Sequence, residues 1–328
     1  MWKLNIDSYI EKEYLTRFKD QLVCRIINGV RNNKLSNDIK KILIPDYYSD
    51  EKPIKLELVE KLLIAKPKEA IELNNNLMQQ MFTDYDVTDI NSLKPHKKVL
   101  KNIESVFNYN GVISRNKDNA YWLARKVGHN TCTYCNRQYI MTICFDGRTS
   151  NVTRPQFDHW CPKELFPLLS LNLYNLIPCC SICNSTAKGR NIFSLNTHIH
   201  PYLQINDEPD FKFYPAVSTE TERDWTLILE RKEHSKEDNT IKSLRMDEIY
   251  DVHGDLEVKY LMNFATGYTE NYLRDLFQNI LADFSTKGYT KEDVFRMIFG
   301  TEYLPEHTLD RPLSKLKRDV LKYLNIIS

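Results

Sequence analysis

Two Cys-x-x-Cys pairs are the residues of this sequence whose spacing most clearly indicates chemistry. The first pair is Cys132 and Cys135, the second is Cys180 and Cys183, and 44 residues lie between them. Each pair spans a tight turn and can supply two adjacent corners of a tetrahedral zinc site. Because such a site leaves no open position, its ion is structural. The sequence therefore predicts a Zn²⁺ ion that joins two distant segments of the chain.

The choice of ligands in the second pair depends on spacing, because Cys179 adjoins Cys180. Only the step from Cys180 to Cys183 repeats the spacing of the first pair, so Cys180 is the expected ligand. A redox-active Cys-x-x-Cys element, or a coincidence of spacing, is the alternative interpretation.

An Asp-His dipeptide, Asp158-His159, lies between the two cysteine pairs. A carboxylate is a good ligand for a hard divalent cation, and an imidazole is the side chain best suited to act as a general base near neutral pH. Asn184 and Lys188 lie four residues apart, so they share one face of a helix expected at 181–188. Taken alone, Asp-His also fits a structural surface pair.

The elements expected to position these residues are a hairpin and a short helix. Residues 138–145 and 152–157 are rich in β-branched and aromatic side chains, and Asp146-Gly147 is a hairpin turn pair between them. Asp158-His159 then falls at the end of the second strand. Gly189 is expected to close the helix at 181–188.

The flanking regions are expected to be largely helical, which gives a predominantly α-helical α+β fold in three parts. The parts are a helical region at 1–118, a central module at 119–202 and a mixed, then helical, region at 203–328. Apolar residues at the helical period predict N-terminal helices at 8–31, 37–44, 54–63, 67–82 and 96–109. In the last part, strands are expected at 211–213 and 225–229, and helices at 272–284, 291–299 and 313–324.

Composition is ordinary for a globular protein, with 42% hydrophobic and 27% charged residues and a net charge of +1. A strongly basic nucleic-acid coat is thereby excluded. The segment 120–190 nevertheless carries eight basic and three acidic residues, a local field that suits a polyanionic substrate. The sequence has no apolar run long enough to span a bilayer and no export signal, so a cytoplasmic location without membrane attachment is expected.

The motifs together resemble a known family. CTYCNRQY, FDHWCPK and LYNLIPCCSICNSTAKG, within 132–190, are similar to HNH endonucleases of the ββα-metal class with a four-cysteine zinc site. The longer pattern, with HPYL at 200–203 and RPLSKLKRD at 311–319, resembles HNH proteins of bacterial anti-phage systems, including Septu-type and retron-associated nucleases.

The resemblance implies a role for each matching residue. Asp158 and Asn184 would bind a catalytic Mg²⁺ or Mn²⁺ ion, and His159 would deprotonate the attacking water. Asn175 would brace the loop and orient His159. The residues expected to contact phosphate groups, with solvated surface charge as the alternative, are Lys163, Lys188 and Arg190.

The implied function is metal-dependent hydrolysis of phosphodiester bonds, with DNA as the expected substrate, in an anti-phage system that also contains an ATPase partner. Two alternatives stay open. One is a zinc-stabilised nucleic-acid-binding module without catalysis, and the other is a protein that docks the ATPase and has no independent nuclease activity.

Overall fold

The computed structural model describes residues 1–44, 56–82, 84–86, 94–144, 152–189, 191–219, 224–267 and 270–327. Their fold is α+β, as predicted, with two small antiparallel sheets among these residues. The helices are α1 (Ser8–Arg31), α2 (Asn37–Leu43), α3 (Glu57–Ile64), α4 (Pro67–Met81), α5 (Lys97–Phe107), α6 (Lys117–Lys126), α7 (Lys236–Ser243), α8 (Met246–Asp251), α9 (Lys259–Gly267), α10 (Glu270–Ser285), α11 (Lys291–Phe299) and α12 (Ser314–Tyr323). The strands are β1 (Gln156–His159), β2 (Leu176–Cys179), β3 (Lys212–Val217) and β4 (Trp225–Glu230). Within the described ranges, no helix has the length and apolar character needed to cross a membrane.

The N-terminal helices pack around a core of their own and hold the central loop. Helix α1 has the predicted bounds and begins where the Asp7 side chain accepts a hydrogen bond from the Tyr9 amide at 2.8 Å. Its buried face includes Tyr14, whose hydroxyl donates to the Leu171 carbonyl at 2.8 Å. Helices α2 to α5 also fall in the predicted segments, whereas α6 was not predicted. These helices therefore support the loop that leads into β2.

The predicted hairpin forms only in part, because the end of its second strand pairs with another segment. Residues 138–144 form no strand, and β1 begins only at Gln156, after Pro155, which has no amide hydrogen for a ladder. The partner of β1 is β2, in a register that places Asp158 opposite Ile177 and His159 opposite Leu176. A single bridge between Ile143 and Thr153 connects the two predicted arms, and the turn at 146–147 lies outside the described residues.

A seven-residue π-helical segment, Ile182–Lys188, follows β2 and is called the zinc-site helix below. It matches the predicted helix and ends at Gly189, whose φ of 52° is the conformation that glycine adopts without strain. A second π-helical segment, Asn110–Ser114, lies between α5 and α6.

The C-terminal region packs on the cysteine-bearing segment. Strands β3 and β4 pair with each other, and α10, α11 and α12 occupy the predicted segments, while α7, α8 and α9 were not predicted. The core formed by this region includes the buried cysteines, and the N-terminal core includes Phe157 and Leu176 from the central module. The division at 118 and 202 stays a prediction, and both apolar cores extend across it.

Candidate metal centre and the adjoining cleft

The four predicted zinc ligands form one cluster. Cys132, Cys135, Cys180 and Cys183 are all buried, and their sulfur atoms lie within 4.8 Å of one another. None of them is in a disulfide. Cys179 is buried but stands outside the cluster, so the choice of Cys180 from its spacing is confirmed.

Backbone amides donate hydrogen bonds to two sulfur atoms of the cluster. The Cys180 amide donates to the Cys132 sulfur at 3.3 Å, and the Cys183 amide donates to the Cys180 sulfur at 3.4 Å. Burial, followed by the neighbouring thiols, raises the pKa of the Cys132 thiol well above its ordinary value. A bound cation lowers the free energy of the charged thiolates, because its positive charge offsets their burial and their mutual repulsion. Four sulfur donors without an open position fit Zn²⁺ in a structural role.

Residues far along the chain fix the turn of the first cysteine pair. Asn136, with a φ of 45°, donates from its side-chain amide to the Thr308 carbonyl at 2.8 Å and accepts from the Ser314 amide at 3.1 Å. The Tyr250 hydroxyl donates to the Cys135 carbonyl. The C-terminal region therefore helps to hold the metal centre in place.

Asp158 connects the metal centre to a neighbouring cleft. One carboxylate oxygen, Oδ2, accepts from the Tyr134 hydroxyl at 2.5 Å and from the Lys188 ammonium at 2.6 Å. Tyr134 lies inside the first cysteine pair, and Lys188 ends the zinc-site helix, so both donors come from segments that carry cysteines of the cluster. Burial raises the pKa of Asp158, and the positive charge of Lys188 opposes this rise.

Lys188, a predicted phosphate contact, instead has its ammonium buried against Asp158. Its side chain is 3% exposed. The ammonium also donates to the His159 carbonyl at 2.6 Å and to the Trp160 carbonyl at 3.3 Å, so each of its three hydrogens has an acceptor. The Lys188 ammonium thus makes its hydrogen bonds to buried groups of the protein.

Replacing Lys188 with Met is expected to destabilise the protein by about 3–5 kcal/mol, because the buried Asp158 carboxylate loses its counter-ion. Denaturant unfolding measures this change. The double variant Lys188→Met/Asp158→Asn, which also removes the carboxylate charge, is expected to recover part of the loss. An unfolding free energy for Lys188→Met equal to that of the wild type would contradict the importance of this ion pair.

His159 is held as a neutral ring with one nitrogen available. Its Nε2 lies 3.0 Å from the Ser170 carbonyl, which can only accept, so Nε2 carries the hydrogen and Nδ1 carries the lone pair. In the part of the chain described, Nδ1 has no hydrogen-bond partner. The Tyr109 ring packs edge-on against the imidazole at a centroid distance of 4.5 Å. Burial, together with the charges of Lys163 and Lys188, lowers the pKa of His159 to about 4, so the ring is neutral at pH 7.

Asn175 braces the loop, as the resemblance implies. Its side-chain oxygen accepts from the Cys161 amide at 2.7 Å, and its side-chain nitrogen donates to the carbonyls of Cys161 and Leu169 at 3.1 and 3.0 Å. Ser170, the acceptor for His159, directly follows Leu169. Among the described residues, the Asn175 side chain makes no hydrogen bond to His159 and is linked to it through this loop.

Asn184 lies beside β1 at the start of the zinc-site helix. Its side-chain nitrogen donates to the Gln156 side-chain oxygen at 2.8 Å, which leaves the Asn184 oxygen free of other hydrogen bonds among the described residues. Asp158 Oδ1 also has no hydrogen-bond partner there. Carboxylate and carboxamide oxygens are of the donor type that Mg²⁺ and Mn²⁺ prefer.

Asp158, His159 and Asn184 line one cleft of about 800 Å³. Lys163 and Lys188 line it too, but the Lys163 ammonium is paired with the Glu104 carboxylate at 2.8 Å. Arg190, the third predicted phosphate contact, lies outside the described residues. The cleft thus brings together the predicted reactive residues and excludes Asn175, which is buried behind them.

Three residues near the site were not predicted: Tyr134, Ser170 and Arg154. Tyr134 stands between two predicted ligands, so its position in the motif could have suggested a contact near the metal centre. The Ser170 contact uses a backbone carbonyl, which has no sequence signature. Arg154 was counted only as part of the local basic field.

The comparisons with known proteins were negative: no family model, curated protein or solved structure matches this chain.

Proposed function

We propose that this protein is a metal-dependent HNH endonuclease of the ββα-metal class that hydrolyses phosphodiester bonds in DNA. The observation that carries the proposal is that His159, whose Nδ1 has no hydrogen-bond partner among the described residues, lines one cleft with Asp158 and Asn184. A protein that only bound nucleic acid would have no need of a base beside a metal ligand.

The order of elements supports the ββα assignment. Antiparallel strands β1 and β2 are followed at once by the zinc-site helix, and the four cysteines lie where this helix meets the turn at 132–135. Asp158 and His159 come from β1, and Asn184 comes from the helix. Zinc would hold helix and strands together and would take no part in the reaction.

In the proposed reaction, His159 Nδ1 takes a proton from a water molecule, which attacks the scissile phosphate in line and leaves a 5′ phosphate. The Ser170 carbonyl fixes the ring so that Nδ1 keeps its lone pair before the proton arrives. A Mg²⁺ or Mn²⁺ ion bound by Asp158 and Asn184 would supply positive charge to the phosphate and to the departing 3′ oxygen.

The anti-phage role and the ATPase partner belong to the same proposal and rest on the sequence resemblance alone. The motifs at 132–190, 200–203 and 311–319 support them. In such a system the ATPase would control when the nuclease cuts.

Incubation of supercoiled plasmid with the purified protein and Mg²⁺ or Mn²⁺ tests the proposal. Nicked or linear plasmid with 5′-phosphate ends is the expected product, and a chelator added before the metal should prevent its formation. A second arm adds the product of the neighbouring gene if that gene encodes an ATPase, and cleavage only in that arm would define a partner-dependent nuclease. Plasmid that is retained in a gel but stays uncut in both arms would favour the binding module instead.

A further inference from the structure

The cations that line the cleft differ in how their charge is balanced. Lys163 is paired with Glu104 at 2.8 Å and Lys188 with Asp158 at 2.6 Å. Arg154 also lines the cleft, and within the described ranges it has no carboxylate partner. Of these three cations, Arg154 is therefore the one whose charge is not balanced by a carboxylate among the described residues and is available to an incoming anion.

The Arg154 guanidinium is fixed in place by neutral groups. It donates to the Pro155 carbonyl at 2.8 Å from one terminal nitrogen and to the Ser114 carbonyl at 3.0 Å from the other. A guanidinium has five N–H donors, so donors remain for a ligand. Carbonyl acceptors orient the group without cancelling its charge, which is the arrangement expected of an anion-binding arginine.

The two acceptors tie Arg154 to the elements that border His159. Ser114 ends the π-helical segment Asn110–Ser114, and Tyr109, directly before that segment, packs against the His159 ring. Pro155 directly precedes β1, the strand that ends in His159. The guanidinium is thus held between the two segments that meet at the imidazole.

We propose that Arg154 binds a phosphate group of the DNA strand that enters the cleft, next to the water activated by His159. This inference rests on the proposed function. Glu164, exposed at the same cleft, carries the opposite charge, so the anion is expected on the Arg154 side. The competing interpretation is that Arg154 only ties the segment ending at Ser114 to the start of β1.

The test measures binding separately from cleavage. Fluorescence anisotropy of a labelled duplex DNA is recorded over a range of salt concentrations, with the His159→Ala protein as parent and no added Mg²⁺ or Mn²⁺. Adding Arg154→Gln is expected to weaken binding about 10-fold to 100-fold, as for the loss of a charged hydrogen bond. It should also reduce the slope of log K against log salt by about 1.

Arg115→Gln is the matched control, because Arg115 is exposed, directly follows Ser114 and does not line the cleft. It removes the same charge and is expected to change affinity less than about 3-fold, as an exposed charge should. Equal affinities and salt slopes for the Arg154→Gln and Arg115→Gln proteins would overturn the inference.

Arg154→Lys separates phosphate binding from a structural role. A lysine keeps the charge but loses the planar fork, so the salt slope should stay near that of the parent while Arg154→Gln lowers it. If Lys and Gln weaken binding equally and lower the melting temperature equally, Arg154 is structural and the inference is wrong. If the parent itself does not bind DNA and the wild-type protein does not cut it, the proposed function fails, and the inference fails with it.

Discussion

Replacing His159 with Ala is expected to lower the rate of DNA cleavage by about 10²–10⁴-fold, the usual contribution of a general base. The ring is neutral at pH 7, because burial lowers its pKa to about 4, and the Ser170 carbonyl holds the hydrogen on Nε2. Alanine offers no atom that could accept the proton from water. The measurement is the initial rate of plasmid nicking under saturating Mg²⁺ or Mn²⁺.

The variant is expected to stay folded, because among the described residues the His159 ring makes one hydrogen bond, to the Ser170 carbonyl, and one edge-on ring contact, with Tyr109. An unchanged melting temperature and an unchanged affinity for duplex DNA would show this. His198→Ala is the matched control, since His198 bonds to Thr197 and Ser243 and does not line the cleft. Cleavage by His159→Ala at the wild-type rate would show that another group is the base.

The four-cysteine cluster was predictable from sequence because much of its geometry is local. A Cys-x-x-Cys turn brings its own two thiols together, so only the meeting of the two turns depends on the fold. The same holds for the short helix closed by Gly189 and for α1, whose apolar face and N-terminal Asp7 lie within one segment.

The pairing of β1 could not be predicted in the same way. Asp146-Gly147 is a strong local turn signal and points to pairing between 138–145 and 152–157. The structure keeps one bridge of that hairpin, between Ile143 and Thr153, but pairs Gln156–His159 with Leu176–Cys179. Strand β2 is wholly buried and contributes residues to both apolar cores. Burial of β2 against both cores is a long-range effect that a hairpin pattern does not contain.

The partners of Asp158 show a further limit of sequence reasoning. Asn184 and Lys188 share a helix face by spacing, yet the residue that each side chain contacts depends on the length of that side chain. Lys188 extends inward to Asp158, while Asn184 stays at the cleft and contacts Gln156. A basic residue after a cysteine pair suggests a phosphate contact, and only the buried carboxylate reveals its other use.

The metal centre and the cleft are joined through these same contacts. Tyr134 lies between Cys132 and Cys135, and Lys188 follows Cys183 on one short helix. If the ion were lost, the four thiols would no longer fix the two segments, and both donors to Asp158 would be released. Loss of zinc should therefore impair the cleft as well as the fold.

Replacing Cys180 with Ser is expected to abolish stoichiometric zinc binding and to unfold the central module. Structural zinc contributes about 10–16 kcal/mol of apparent binding free energy in small zinc domains, which is comparable with the whole stability of a typical domain. The measurements are zinc per chain by elemental analysis and the melting temperature. The wild type should hold one zinc per chain, and the Cys180→Ser protein clearly less.

Cys179→Ser is the matched control, because Cys179 is the adjacent thiol, equally buried, and lies outside the cluster. It should keep one zinc per chain and lose only about 0.5–3 kcal/mol, as for an ordinary buried substitution. The comparison of zinc per chain between the two variants is decisive, since each variant removes one sulfur and the two positions are adjacent. If Cys179→Ser lost zinc and Cys180→Ser kept it, the ligand set would be wrong, and the link from the thiolates through Tyr134 and Lys188 to Asp158 would no longer hold.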